Sequence, residues 1–328
     1  MPGKRALIFG VSGQDGGYLS AHLLGQGCEV HGTSRDKDVS GFRNLRALGM
    51  ADKVTLHSVS LVDFRSVLQV ISDVRPTEIY NLAGQSSVGL SFQTPIETFD
   101  GIVVGTLNIL ESIRFLKLDC RFYNAGSSES FGDIPGEPAH EGTPFRPRSP
   151  YGVAKAAAHW AVANYREAYG LFACSGLLFN HESPLRPARF VTQKVIRGAV
   201  QISRGRADSL YLGNLDVARD WGWAPEYVEA MAAMLAHDVA DDFIIATGVP
   251  SRLEDFVARA FEAVGLNWRD HVRNDPSLER PSDLAFSVGD PGKAKRDLGW
   301  EAATRMPQIV DRLIEAELAR EDRQPAAG

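Results

Sequence analysis

Residues 5–35 read RALIFGVSGQDGGYLSAHLLGQGCEVHGTSR, a strand, a glycine turn, a helix and a second strand in quick succession. Ala6 to Phe9 form a short apolar run of the kind that fills a parallel strand buried on both faces. Gly10, Gly13 and Gly16 follow at G-x-x-G-x-x-G spacing, with Gln14 and Asp15 inside the turn. Tyr18, Leu19, His22 and Leu23 then continue at helical spacing. Glycines between a strand and a helix let the backbone approach a pyrophosphate at the helix amino terminus. The second strand ends in Thr33, Ser34 and Arg35 where a ribose-binding acidic residue is common. A guanidinium there pairs with a 2′-phosphate, which favours NADP over NAD, although Asp36 follows at once.

Working outward, strand and helix candidates keep alternating: Val54 to His57, a helix around Phe64 to Ser72, Glu78 to Leu82, a helix around Thr98 to Phe115, Arg121 to Ala125, and Phe172 to Phe179. This order predicts an α/β fold, a Rossmann-type doubly wound parallel sheet. Ligands on such a sheet collect at the carboxyl ends of the strands. Those ends carry Asn81-Leu82-Ala83-Gly84 with Gln85, Ser86 and Ser87, and then Ser127, Ser128 and Glu129; helix capping is the plainer use of such clusters. Tyr151 and Lys155, four residues apart, share one helix face. An ammonium beside a phenol favours the phenolate and would make the tyrosine a usable base.

Beyond residue 180 the alternation loosens. Val191 to Ile202 reads as helix, Leu210 to Leu212 as a short strand, ARDWGWAPEYVEAM as the approach to another helix, and Phe243 to Ala246 as strand. Ser251 and Glu254 read as a capping box before a helix Leu253 to Val264. The expected division is a dinucleotide-binding part over residues 1–180, a smaller C-terminal α/β substrate lobe over 181–320 interleaved with the last strands of the large sheet, and a frayed tail over 321–328.

The chain has 328 residues, 44% of them hydrophobic, and a net charge of -6 with both signs interspersed. Such a balance argues against nucleic acid or an anionic membrane as partner. Cys28, Cys120 and Cys174 have neither metal-ligand nor redox spacing, so the expectation is a cytoplasmic protein with reduced thiols and no metal. The apolar run after Lys4 and Arg5 is too short for a membrane span.

Together GVSGQDG, RFYNAGSSESFG, PRSPYGVAK, LLFNHESP, YLGNLDVARDWG and VGDPGKAKRDLGW resemble the extended short-chain dehydrogenase/reductase family of nucleotide-sugar enzymes, and within it the GDP-mannose 4,6-dehydratase branch. The resemblance implies an NADP-dependent lyase that carries a GDP-manno sugar to its 4-keto-6-deoxy derivative. Tyr151 would take the O4 proton, Lys155 would lower its pKa and hold the nicotinamide ribose, Ser127 would bond the reacting oxygen, and Glu129 would take the C5 proton. Gly10, Gly13, Gln14, Asp15, Gly16, Arg35, Leu82, Ala83 and Gly84 would contact the cofactor. Ser86, Ser87, Ser128, Asn180, Arg186, Lys194, Arg219, Arg280 and Asp283 would meet the GDP-sugar. His181 and Glu182 read as residues that shape their loop.

The sequence departs from the branch at Ser127 (commonly threonine), Asp36, Ser60, Leu185, Pro187 and Asp283. At Ser87 hexose enzymes commonly carry histidine, which suggests a larger sugar, GDP-D-glycero-D-manno-heptose, as the alternative substrate. A GDP-sugar 4-reductase or epimerase would not require Glu129, and a silent nucleotide-binding regulator would be free to lose all four reacting positions. The family also implies a homodimer or homotetramer, for which the two apolar helices around Thr98 to Phe115 and Gly152 to Tyr169 are candidates.

Overall fold

A computed structural model describes residues 3–134, 136–279 and 281–323. Strands β1 (Arg5–Phe9), β2 (Glu29–Ser34), β3 (Thr55–Ser58), β4 (Glu78–Asn81), β5 (Arg121–Ala125) and β6 (Phe172–Leu178) build a parallel sheet. Two further strands, β7 (Asn180–Glu182) and β8 (Leu210–Leu212), precede β9 (Ala218–Trp223) and β10 (Phe243–Ile245), and β10 returns to the large sheet. Its order is β10-β6-β5-β4-β1-β2-β3, with every neighbouring pair parallel. The chain is thus a doubly wound Rossmann-type α/β fold, as its alternating pattern predicts. The order reverses beside β1, so the crevice between β1 and β4 opens where the glycine turn lies.

β1 shows why the sheet needs helices on both faces. Ala6 and Ile8 join the core under the helices Gln14–Gly25 and Ala224–Ala236. Leu7 and Phe9 point the other way, into the core under Phe64–Val74, Gly105–Phe115 and Pro150–Tyr169. Gly16 has no room for a side chain, because a Cβ there would lie 2.5 Å from the Gly10 carbonyl oxygen. That close approach locks the first helix against the turn.

A second sheet centres on β9, flanked by β11 (Pro250–Arg252), β7 and β13 (Phe286–Ser287), with β12 (Val272–Asn274) pairing β8. Its core gathers the helices Val191–Ser203, Leu253–Glu262 and Met306–Asp322.

Several details differ from the sequence reading. The helix expected around Thr98 to Phe115 begins at Pro95 and passes through a π turn at Asp100–Val104 before Gly105–Phe115. No Ser251 to Glu254 capping box forms: Arg252 occupies the cap without a side-chain bond, and Ser251 is committed to pairing with Arg219 across β11 and β9. The strand in ARDWGW was hidden by its charges, since Arg219 and Asp220 are buried within it. At the carboxyl end the last helix reaches Asp322, which Arg204 holds at 2.7 Å, so residues 321 and 322 are helical; residues 324–328 lie outside the described part.

Candidate active site

The carboxyl ends of β1, β4, β5 and β6 and the start of β7 surround a cavity of about 400 Å³. It is lined by Ser127, Glu129, Tyr151 and Lys155, by Asp15, Leu82, Ala83 and Gly84, and by Ser86, Ser87, Ser128, Asn180, Arg186, Lys194, Arg219 and Asp283. Residues far apart in the chain therefore share one wall. Gly10, Gly13, Gln14 and Gly16 build the turn beside the cavity, and Arg35 stands exposed just after β2. Arg280 lies outside the described residues.

The Tyr151 helix is held at its start by Ser149, whose Oγ accepts from the Gly152 amide at 3.0 Å, with Pro150 in its first turn. Gly152 allows the helix to press on the loop that carries Glu129: a Cβ at this position would lie 2.7 Å from the Glu129 carbonyl oxygen. Opposite, Ser127 and Ser87 act as the caps their sequence allowed. Ser127 Oγ accepts from the Glu129 amide at 3.3 Å, and Ser87 Oγ from the Leu90 amide at 3.3 Å. Capping does not remove either from the cavity wall.

Burial pushes the Tyr151 phenol up to about 12; the Ser127 hydrogen bond opposes this, Glu129 adds to it, and Arg186 lowers it again. The expected help from Lys155 is not seen in the free chain. Its ammonium donates to the Ala125 carbonyl at 2.7 Å and stands 5.7 Å from the Tyr151 ring centre. Burial takes Lys155 itself down to about 8, against the pull of Asp15. From an ordinary 10.5 that shift costs the fold on the order of 3 kcal/mol at neutral pH, and the cost fades as pH rises through both values. Lys155→Met is therefore expected to raise the thermal midpoint at neutral pH, despite one lost hydrogen bond worth about 1 kcal/mol. The gain should vanish above about pH 10.5; a lower midpoint at neutral pH contradicts this.

Gln14 and Asp283 each have a hydrogen-bond partner within the chain. Gln14 turns its side chain away from the turn's mouth: Nε2 donates to the His181 carbonyl at 3.1 Å, and Oε1 accepts from Ser183 Oγ at 2.7 Å. Asp283 accepts from Arg219 Nη2 at 3.0 Å and so balances a guanidinium that is 6% exposed. Glu182 is buried and accepts from Thr192 Oγ1 at 2.6 Å, and it also lines the cavity. The sequence reading passed over Arg189, Phe190, Asn214 and Glu279, which also line the cavity. Phe190 lies under the Arg186 guanidinium at 3.9 Å; an aromatic within the basic run RPARF was the available signal.

A dinucleotide suits the glycine turn. The first helix starts at Gly13 without any capping side chain, leaving its amide donors for an anion. Among the described residues no cluster of three or more His, Cys, Asp or Glu could hold a metal ion, and no helix is long and apolar enough to cross a membrane.

A family model described as GDP-mannose 4,6 dehydratase matches residues 7–313. GDP-mannose 4,6 dehydratase 2 of Arabidopsis thaliana is 43% identical over 97% of this chain and 87% of its own length. The Homo sapiens GDP-mannose 4,6 dehydratase is 40% identical over 97% of this chain and 92% of its own. Among solved structures, a Thermus thermophilus UDP-glucose 4-epimerase in complex with NAD superimposes with a TM-score of 0.84 at 26% identity, covering 96% of this chain and 99% of that one. A Bacillus anthracis dTDP-glucose 4,6-dehydratase, 17% identical, shares the fold with a TM-score of 0.84 over 97% of this chain and 98% of its own.

Proposed function

Since this chain belongs to the GDP-mannose 4,6-dehydratase family, we propose that it removes water across C5 and C6 of the mannosyl group of GDP-mannose, leaving a 4-keto-6-deoxy sugar. It is a nucleotide-sugar hydro-lyase with a nicotinamide dinucleotide as cofactor. The observation that carries the reaction is the convergence of Ser127, Glu129, Tyr151 and Lys155 on one cavity wall.

A nicotinamide dinucleotide held at the glycine turn would supply the hydride acceptor for C4 and the hydride donor for C6. Tyr151 takes the O4 proton as that carbon is oxidised, with Ser127 hydrogen-bonding the same oxygen. The resulting ketone acidifies C5, whose proton Glu129 removes and passes to the departing C6 hydroxyl; when hydride is restored to C6, C5 takes a proton from solvent, matching the one Tyr151 took from O4. Lys155 would hold the nicotinamide ribose. Asn180, Arg186, Lys194 and Arg219 hold the sugar nucleotide, where guanidinium groups make strong contacts to a diphosphate; Asp283 keeps Arg219 in place. Labelling C4 of GDP-mannose with deuterium tests the route: the label is expected at C6 of the product, and its loss to solvent or to added cofactor would contradict internal return.

The cofactor is NADP. Arg35 is exposed at the carboxyl end of β2, and Asp36, the residue that argued for NAD, turns its carboxylate onto its own loop, accepting from the Asp38 amide at 2.9 Å and the Val39 amide at 3.3 Å. Arg35→Ser is expected to weaken NADP⁺ about tenfold while changing NAD⁺ little, as for one charge-assisted contact. Equal weakening of both would contradict the assignment.

Ser87 supports one alternative substrate. It lines the cavity with a side chain smaller than histidine, so GDP-D-glycero-D-manno-heptose is the second reading. The smaller lobe over residues 181–320 holds the sugar nucleotide, and residues 1–180 hold mainly the cofactor. The protein assembles as a homodimer or homotetramer through the helices at 95–115 and 150–169, which expose Ile96, Phe115, Val153, Trp160 and Tyr169. Its three cysteines are unpaired and buried, which favours a cytoplasmic location.

A further inference from the structure

Asp15, in the first turn of the first helix, and His181, on β7, join two motifs that lie 166 residues apart. The imidazole is 7% exposed and stacks on the Tyr227 ring with centres 4.7 Å apart. Its Nδ1 lies 2.7 Å from the Phe179 carbonyl oxygen, and its Nε2 lies 3.0 Å from Asp15 Oδ2. A carbonyl oxygen and an ionised carboxylate can only accept. Both contacts are hydrogen bonds only when both ring nitrogens carry protons, so the geometry makes His181 an imidazolium.

The electrostatics agree. Burial lowers the His181 pKa, but the Asp15 carboxylate more than reverses this and the net direction is up. Burial raises the Asp15 carboxyl, yet His181, Gln14 and Arg186 bring it down to about 2. The pair is also one link in a longer chain. Gln14 Nε2 donates to Asp15 Oδ1 at 3.0 Å as well as to the His181 carbonyl. Ser183 bonds Gln14, and Gln193 Nε2 donates to the Ser183 carbonyl at 3.0 Å. Gln193 sits in the first turns of the helix that carries Lys194 into the cavity.

We propose that the Asp15–His181 ion pair is a positioning joint between the dinucleotide turn and the sugar-nucleotide loop: His181 neutralises a carboxylate that would otherwise repel the cofactor's phosphates. The proposal rests on reading the glycine turn as the dinucleotide site. A bare carboxylate in the first turn of an uncapped helix would compete with phosphate for that anion-binding end. As pH rises through the His181 pKa the ring loses a proton, and one of its two contacts is lost. Asp15 then keeps its Gln14 hydrogen bond but loses the imidazolium counter-charge, so cofactor affinity falls as pH rises. Other charges face the pair: Arg186 from the loop after β7, Glu182 beside His181, Lys155 from the Tyr151 helix, and the phenols of Tyr18, Tyr151 and Tyr227. Lys155 also acts on Asp15 and loses its proton near 8, so pH alone does not separate the two cations; variants do.

The test is the NADP⁺ dissociation constant of the whole protein, measured calorimetrically from about pH 6 to about pH 9, for wild type, His181→Phe, Asp15→Asn and the double variant. Phenylalanine keeps the ring on Tyr227 and removes the charge. Wild type is expected to weaken about tenfold across the range. His181→Phe should be about tenfold weaker already at the acid end, with a visibly flatter profile. Asp15→Asn in the His181→Phe background should restore most of the lost affinity, which a merely structural role for His181 would not produce. An unchanged pH profile in His181→Phe, or no recovery in the double variant, overturns the joint. Absence of NADP⁺ binding by wild type at every pH overturns the dinucleotide reading and the joint with it.

Discussion

Glu129→Gln is expected to lower the rate of water loss from GDP-mannose by roughly 10²–10⁴-fold, the usual contribution of a positioned general base. The amide preserves the size and shape of the side chain but cannot accept the C5 proton or return one to the leaving hydroxyl. Its backbone would stay where it is, because the loop is fixed by Ser127 Oγ on the Glu129 amide and by the Gly152 approach to the Glu129 carbonyl. Binding of GDP should survive, since Arg219, Lys194 and Asn180 reach the cavity from other elements. The measurement is a single-turnover time course in deuterated water, following both water loss and solvent deuterium at C5. Near-normal dehydration in this variant would transfer the base role to another group.

Tyr151→Phe is expected to cost a comparable ~10²–10⁴-fold in turnover, for a different reason. In the proposed reaction the phenol takes the O4 proton beside Ser127, and phenylalanine retains its packing in the cluster with Ile102 and Ala154. With the free phenol near 12, the ionised fraction grows tenfold for each pH unit through the neutral range. Wild-type turnover at limiting substrate is therefore expected to rise with pH, and the residual turnover of Tyr151→Phe should lose that slope. A variant that keeps the wild-type slope would place the titrating group elsewhere. Deuterium exchange at C5 should also cease in Tyr151→Phe, because C5 is not acidified until C4 is a ketone. The two variants thus separate by substrate chemistry: one stops before the ketone and the other after it.

The large sheet was legible because its central strands β1, β4, β5 and β6 are short and buried almost throughout, and because the helices between them keep a 3.6-residue period. That Tyr151 and Lys155 share one helix face followed from helical spacing, and the polar clusters after β4 and β5 from the rule that ligands gather at strand ends. What the sequence concealed was side-chain direction. Gln14 sits in a cofactor motif yet spends its amide on the His181 and Ser183 backbone and hydroxyl. β9 does not read as a strand because Asp220 is charged, but its carboxylate accepts from the Thr247 amide at 2.8 Å, from Thr247 Oγ1 at 2.7 Å and from the Gly248 amide at 2.9 Å. Such long-range partners make burial of a charge tolerable, and local composition does not reveal them. The ammonium of Lys155 was expected at the phenol and instead bonds the Ala125 carbonyl, a contact set by how the Tyr151 helix packs on β5.

The most direct measurement is to incubate the purified protein with GDP-mannose and NADP⁺ and follow the sugar nucleotide by mass spectrometry and the cofactor by absorbance. Loss of one water from GDP-mannose with no net consumption of NADP⁺ is expected. An unchanged sugar-nucleotide mass, or water loss matched by accumulating NADPH, would contradict it.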